Sequence, residues 1–114
     1  MAYRQGEVVV LPFPFADRLG EKTRPAVVVS SNTYNASGPD IIVAQLTTRL
    51  AVPHRPGDHV IEHWEQAGLR AASLSRARLS TVGSSRVTRV LGRLARGDLR
   101  RVIAELKLVF DFPK

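Results

Sequence analysis

Residues 23–35 read TRPAVVVSSNTYN. A β-branched run followed by turn-forming residues predicts a strand and the turn that ends it, and the rest of the predicted fold is built around them. The segment 25–31 is predicted as a strand, since valine favours the half-buried surface of a sheet. Pro25 suits the first position of that strand, where a missing N–H costs little. The asparagines, glycine and proline of 32–40 predict turns. IIVAQLTT at 41–48 predicts a third strand, apolar on both faces and therefore central.

The other segments continue this pattern of short strands and polar connections. Strands are predicted at 7–13, 59–64 and 73–83, loops at 16–23 and 49–58, and a turn or short helical piece at 65–72, while 86–93 is compatible with either strand or helix. A single domain covering 1–114 is expected from the chain length and from the absence of a dividing linker.

The C-terminal segment carries the clearest helical signal. Apolar residues recur at helical spacing, at Leu99, Val102, Ile103, Leu106, Val109 and Phe110. Asp98 lies in the predicted first turn, where a carboxylate favours the helix dipole. The expected fold class is mainly β, a small and strongly bent sheet or barrel, closed by one C-terminal helix.

The charge is unevenly distributed. The net charge is +7, and 14 of the 17 basic residues are arginine. Residues 70–101 contain nine arginines and a single acid, Asp98. A general preference for arginine over lysine would explain the residue type but not this clustering. We therefore expect an anionic partner, either a nucleic acid or an acidic protein segment, because guanidinium groups match phosphate and carboxylate oxygens.

Composition also narrows the chemistry. Cysteine is absent, so neither disulfides nor thiolate metal sites are expected. No signal peptide is apparent, and no apolar run approaches the roughly 20 residues that span a bilayer, which favours a cytoplasmic protein without membrane contact. His59 and His63 are four residues apart, but no third ligand accompanies them, and surface histidines are the expected interpretation. Neither a metal nor a cofactor is predicted.

Two strand ends provide candidate phosphate ligands. Arg24 precedes the second strand and Thr47 ends the third, so antiparallel pairing would bring both to one rim. A guanidinium beside a hydroxyl is a good receptor for phosphate. From spacing alone, ordinary structural roles are favoured, because an Arg-Pro pair before a strand and a threonine at the end of a strand are both common.

A family resemblance rests on these same residues. GEVVVLPFPFADRLGEKTRPAVVVSSNTYN (6–35) followed by DIIVAQLTT (40–48) resembles the MazF/PemK/Kid toxins of bacterial toxin–antitoxin modules. The match includes Gly6-Glu7, Arg24-Pro25, 27–30 and 41–47, and the segments 56–82 and 87–106 resemble the PemK-type branch. The resemblance covers nearly the whole chain.

The resemblance implies a twisted, SH3-like β-barrel of MazF/CcdB type with a C-terminal helix, usually dimeric. It implies a metal-independent endoribonuclease that cleaves single-stranded RNA, silenced by an acidic antitoxin. The catalytic pair would be Arg24 and Thr47. A covering loop would run from Phe15 to Thr23, and the proposed RNA-binding residues are Phe15, Lys22, Thr48, Arg49, Arg76 and Arg78.

Two other functions stay open. Several relatives carry an acid in the strand that matches 73–82, where this chain has Ser75 and Ala77. Without that acid, a non-catalytic SH3-like module that binds nucleic acid or protein remains an alternative. The second alternative is a gyrase-directed toxin on the same fold, against which the pair Arg24 and Thr47 argues.

Overall fold

The structure is a computed structural model that describes residues 2–13 and 22–111. The strands are β1 (Glu7–Phe13), β2 (Lys22–Val28), β3 (Asp40–Thr47), β4 (His59–Val60), β5 (Leu74–Gly83) and β6 (Arg89–Arg93), and the helices are α1 (Asn32–Ala36) and α2 (Arg96–Val109), with a 3-10 turn at Ser84–Arg86. The strands form one antiparallel sheet in the order β4-β5-β3-β2-β1-β6. The prediction of a mainly β fold with a C-terminal helix is confirmed, as is the interior position of β3.

The sheet has a separate apolar core on each face. The face that packs against α2, here called the helix face, buries Val8, Val27, Ala44, Leu46, Ile61, Ala67, Leu69 and Leu94 with Val102 and Leu106 of the helix. The other face, here called the opposite face, buries Val9, Leu11, Phe13, Ala26, Val28, Ile41 and Val43. Because successive side chains of a strand point to opposite faces, a strand buried on both sides must be apolar at nearly every position.

The two edges of the sheet approach each other, which curls it into a half-barrel. The turns that follow β4 pack against β6, and glycines make this close approach possible. A Cβ atom at Gly68, where φ is +84°, would lie 2.2 Å from the Leu91 carbonyl oxygen, and one at Gly92 would lie 2.6 Å from the Ala67 carbonyl oxygen. A side chain at either position would force the backbones apart.

Helix α2 uses most of its apolar stripe within the fold. Val102 and Leu106 are buried, and Leu99 packs against the same core. The helix ends at Val109, so Phe110 no longer follows the helical spacing and is 54% exposed. None of the described helices is long and apolar enough to cross a lipid bilayer.

The boundaries of β2 differ from the prediction. The strand starts at Lys22 and ends at Val28, so Pro25 is its fourth residue rather than its first. β2 pairs with β1 from its first residue but with β3 only from Ala26, so Pro25 lies where the strand has a single neighbour. A position of this kind tolerates the missing N–H of proline.

Two other segments also differ from the prediction, and a third, which the sequence left open, is now assigned. The predicted turn at 32–40 begins with helix α1, which is capped where the Ser31 hydroxyl accepts the Tyr34 N–H at 3.1 Å. The ambiguous segment 86–93 contains a strand because β6 pairs with β1. The strand predicted at 59–64 is limited to His59–Val60, and turns follow at 62–68.

Candidate active site

The opposite face of the sheet changes from apolar to polar at one end. On β3, the buried residues Ile41 and Val43 are followed on the same face by Gln45 and Thr47. β2 shows the same change toward its start, where Arg24 precedes its buried residues. Polar groups at the end of a packed face are held by the core behind them, which gives a rigid site.

The register of β2 and β3 brings the predicted pair together. Ala26 lies opposite Gln45, and extending that register by two residues places Arg24 opposite Thr47. Residues directly opposite each other in an antiparallel pair share a face. β2 and β3 are paired only from Ala26 onward, so Arg24 and Thr47 lie beyond the last pair, at the rim where the two strands separate.

A bulge in β5 brings two more arginines to this rim. Between the pairs Ala44–Leu79 and Leu46–Ser75, the single residue Gln45 faces the three β5 residues 76–78. Extra residues in one strand re-aim the side chains around them. Arg76 and Arg78 both reach the rim, as expected for two residues that share a face of the strand.

These side chains line an open cavity of about 470 Å³. Its walls are formed by Arg24, Gln45, Leu46, Thr47, Arg49, Val52, Arg76 and Arg78. Five of the eight predicted site residues are therefore together in one cavity. Lys22 and Thr48 are exposed residues that do not line it, and Phe15 lies outside the described residues.

The cavity contains three residues that the sequence analysis did not select, namely Gln45, Leu46 and Val52. Gln45 was detectable, because strand alternation places it on the same face as Thr47. Val52 comes from the loop after β3, and no local pattern indicates where that loop passes.

Arg24 has a buried hydrogen-bond donor that no described residue accepts. The side chain is partly buried, and its Nε atom is buried without a hydrogen-bond partner among the described residues. Leaving a buried donor unpaired is unfavourable. Arg24 therefore contributes little to stability through this nitrogen, and its position is suited to binding an anion instead.

The Thr47 hydroxyl is oriented by its neighbour. Its Oγ1 accepts the backbone N–H of Arg49 at 3.1 Å. A hydroxyl has one proton to donate besides its acceptor lone pairs. The bond from Arg49 therefore holds the oxygen in place while leaving the proton for a ligand in the cavity.

Arg76 is already paired in this structure. Its Nε donates to Oδ1 of Asp58 at 3.1 Å, and its Nη2 donates to Oδ2 at 3.2 Å. The Asp58 side chain is only 2% exposed and does not line the cavity. Arg76 thus presents an oriented but largely neutralised guanidinium, whereas Arg24, Arg49 and Arg78 supply the positive charge.

The residues at the position of the missing family acid face away from this cavity. Ser75 is buried, and Ala77 packs against the core of the helix face. Neither lines the cavity. A carboxylate at either position of this chain would be directed into the protein interior, so the lack of an acid there removes no group from the site.

The sequence profile of PemK-like, MazF-like toxins of type II toxin–antitoxin systems matches residues 4–110. The chain belongs to this family. No curated protein matches it.

Solved structures of toxins share the fold. A mycobacterial endoribonuclease in complex with its cognate antitoxin superposes with a TM-score of 0.75 at 19% identity, over 98% of this chain and 100% of the other. A MazE–MazF structure from Deinococcus radiodurans gives 0.72 at 20% identity, over 99% of each chain. The Mycobacterium tuberculosis toxin MazF-mt6 gives 0.67 at 16% identity, over 93% of this chain and 99% of the other.

Of the two histidines that lie four residues apart, His59 and His63, only His59 has a structural role in this PemK/MazF family member. Contrary to the prediction of surface histidines, the His59 side chain is only 11% exposed, and its Nε2 lies 2.8 Å from Oδ1 of Asp98. Asp98 also accepts the backbone N–H groups of Glu62 and His63, both at 2.9 Å. Burial alone would raise the pKa of Asp98, but the two amide bonds and the His59 ring outweigh it and lower the pKa.

His63 matches the prediction, with a side chain that is 59% exposed. Within residues 2–13 and 22–111, no group of three or more histidine, aspartate or glutamate side chains could hold a metal ion.

Proposed function

We propose that this protein is the toxin of a type II toxin–antitoxin module and acts as an endoribonuclease on single-stranded RNA. The observation that carries the proposal is the register that sets Arg24 against Thr47 in one cavity with Arg49 and Arg78. Such a site offers charged and neutral donors to a phosphate diester. Membership of the toxin family and the fold shared with endoribonucleases support it.

The proposed reaction uses the 2′-hydroxyl of the RNA itself. Its oxygen attacks the adjacent phosphorus, the bond from phosphorus to the 5′ oxygen breaks, and the products carry a 2′,3′-cyclic phosphate and a 5′-hydroxyl. The 2′ oxygen loses a proton and the 5′ oxygen gains one. Arg24 stabilises the charge that develops on the non-bridging oxygens, which is commonly a large catalytic contribution. Thr47 donates its proton to one of these oxygens and holds the phosphate in place.

The other predicted residues would bind RNA around this phosphate. Arg49 and Arg78 line the cavity and are placed to contact flanking phosphates. Lys22 begins β2, and Thr48 directly follows Thr47, so both are proposed to contact RNA outside the cavity. Phe15 is proposed to stack on a base.

The function is tested by incubating the purified protein with a mixed RNA population and sequencing the new 5′-hydroxyl ends. We expect ends at a short recurring motif, their loss in Arg24→Ala and their reduction in Thr47→Val. Growth inhibition in cells should follow the same order. Absence of new ends from the wild-type protein would reject the endoribonuclease proposal, and inhibition of gyrase in the same preparation would support the gyrase-directed alternative.

We propose an acidic antitoxin segment as the protein partner, one that folds on binding. The net charge of +7 favours it. So do the three cavity arginines that form no ion pair with an acid among residues 2–13 and 22–111, namely Arg24, Arg49 and Arg78. The segment would compete with RNA, so saturating antitoxin peptide should prevent RNA binding to Arg24→Ala. Tight simultaneous binding of both ligands would show that the two surfaces are separate.

We also propose that the toxin is a cytoplasmic homodimer, because its RNA substrate is cytoplasmic and because part of α2 stays uncovered. Most of the apolar stripe packs within the fold, but Leu108 is 66% exposed and Val109 is 43% exposed. Sedimentation that shows only a 12.6 kDa species at micromolar concentration would reject the dimer.

A further inference from the structure

The guanidinium of Arg76 is held along one edge. Nε and Nη2 both bond to Asp58, at 3.1 and 3.2 Å, in the parallel two-bond geometry that fixes a guanidinium plane. Arginine has five N–H donors, so those of Nη1 and the second hydrogen of Nη2 are not used by this pair. Arg76 also lines the cavity, and its orientation there is therefore set by Asp58.

Asp58 is itself fixed by the turn that contains it. Its Oδ2 accepts the backbone N–H of Arg55 at 3.0 Å, and its own N–H donates to the Arg55 carbonyl at 3.0 Å. The turn is attached to α2, because the Gly57 N–H donates to Oε1 of Glu105 at 3.1 Å.

The same turn packs directly on the bulge of β5. Gly57 has a φ of +103°, and a Cβ atom there would lie 2.8 Å from Cβ of Ala77 and 2.9 Å from Cγ2 of Val109. Ala77 follows Arg76 in the bulge. The turn, the helix and the bulge are therefore held in one arrangement. Asp58 links this arrangement to the cavity, because it binds Arg76, which lines the cavity.

Asp58 is not suited to act as the general base. Its side chain is 2% exposed, both of its oxygens accept hydrogen bonds, and it does not line the cavity. A base must come within hydrogen-bond reach of the proton that it removes. Any contribution of Asp58 to RNA cleavage must pass through Arg76.

We propose that Asp58 is a positioning residue that orients Arg76 toward the RNA phosphate, an inference that rests on the proposed endoribonuclease function. Asp58 neutralises part of the positive charge of the cavity, and in the same contact it fixes the direction of the Arg76 donors. Removing the carboxylate therefore has two opposite effects. RNA binding strengthens because an anion beside the cavity is lost, while turnover falls because Arg76 is no longer held in the productive geometry.

The test compares Asp58→Ala and Asp58→Asn with wild type on a short RNA that wild type cleaves. Single-turnover rates are measured directly, and RNA affinity is measured with each substitution placed in the inactive Arg24→Ala protein. We expect Asp58→Ala to lower the cleavage rate by about 10- to 100-fold while RNA affinity rises. Asp58→Asn keeps an oxygen that can accept the Arg55 N–H, so the turn is retained while the ion pair with Arg76 is lost. Comparing it with Asp58→Ala distinguishes the effect of the ion pair from the effect of the turn.

Two controls isolate the role of the pair. Glu62→Gln removes the same charge from a side chain that is 80% exposed, and it should leave the cleavage rate unchanged. In an Arg76→Ala background, Asp58→Ala should cause no further loss of rate, because the residue that it positions is already absent. A further loss of similar size in that background would overturn the proposal.

An NMR measurement tests the positioning without any cleavage. In wild type, the Arg76 Nε–H signal should exchange slowly with water, and Asp58→Ala should abolish this protection. If the signal is the same in both proteins, the positioning role is wrong even if RNA is cleaved. If wild type cleaves no RNA, the proposed function fails, and this signal still decides whether Asp58 orients Arg76.

Discussion

Replacing Arg24 by methionine is expected to inactivate this toxin and to stabilise it. The two effects have one cause, which is that the guanidinium occupies a place suited to a ligand and not to the folded protein alone. Its Nε is buried without a partner among the described residues. Methionine keeps an unbranched apolar side chain of similar length and removes the unpaired donor.

The size of each effect follows from the site. An unpaired buried donor costs about 1–3 kcal/mol, so Arg24→Met should raise the free energy of unfolding by about 1 kcal/mol or more. For a chain of 114 residues this corresponds to a rise of roughly 4 °C in Tm. Loss of one donor to a developing oxyanion lowers kcat by about 10²–10³-fold, and the fork of Arg24 can supply two. We therefore expect cleavage to fall by about 10³-fold or more.

Arg24→Lys tests the geometry separately from the charge. In lysine a methylene group stands at the place of Nε, so the unpaired buried donor disappears and Tm should not fall. The ammonium keeps the charge but cannot bind two phosphate oxygens as a fork. We expect a loss of cleavage of roughly 10²-fold.

The assay combines thermal unfolding, followed by circular dichroism, with single-turnover cleavage of a short RNA. Arg89→Met is the matched control, because Arg89 is an exposed β6 residue outside the cavity and the change in net charge is the same. A Tm several degrees below wild type for Arg24→Met would show that the guanidinium stabilises the fold. Cleavage near the wild-type rate would remove Arg24 from the active site.

Three further predictions concern pH, metal and a buried hydroxyl. The pKa of Asp98 is lowered in the folded protein, so its contribution to stability is complete above the unfolded pKa of about 3.8 and is lost as pH falls through the folded pKa. Urea unfolding should therefore show a smaller loss of stability between pH 7 and pH 3 in Asp98→Asn than in wild type. RNA cleavage should persist in excess chelator, and a strict requirement for magnesium or zinc would redirect attention to Glu62 and His63. Ser75 carries a buried Oγ without a partner among the described residues, so Ser75→Ala should leave Tm unchanged or raise it, and a clear drop would reveal a bond that this structure does not show.

Much of the fold was predictable because its signals are local. Helical spacing identified α2, and β-branched runs identified β1 and β3. β5 was predicted as an extended strand with mixed faces, and all three strands match within a residue of their ends. β6 was not decided by its own residues, because 86–93 suits two conformations and becomes a strand through its pairing with β1. The start of β2 was missed for the same reason, since Lys22 and Thr23 extend only because β1 lies beside them.

Some residues of the candidate site could also be predicted from local sequence, whereas its long-range contacts could not. Residue type and position at the strand ends made Arg24 and Thr47 candidates, and the family resemblance selected them. Alternation along β3 would also have indicated Gln45. The sequence alone did not show that Asp58, 18 residues before Arg76, would neutralise it, or that His59 would bind Asp98 across 39 positions.

The sequence by itself determined most of the extended and helical segments and the residues that carry charge, and it predicted which strand ends could bind a phosphate. The tertiary structure decided the β2–β3 register that brings Arg24 and Thr47 to one cavity. It also decided the bulge that brings Arg76 and Arg78 there and the Asp58 carboxylate that holds Arg76. The physical reason is the range of the interactions. Backbone propensity and side-chain periodicity act over a few residues, whereas register, bulges and ion pairs between distant segments depend on which strands become neighbours when both apolar faces are buried at once.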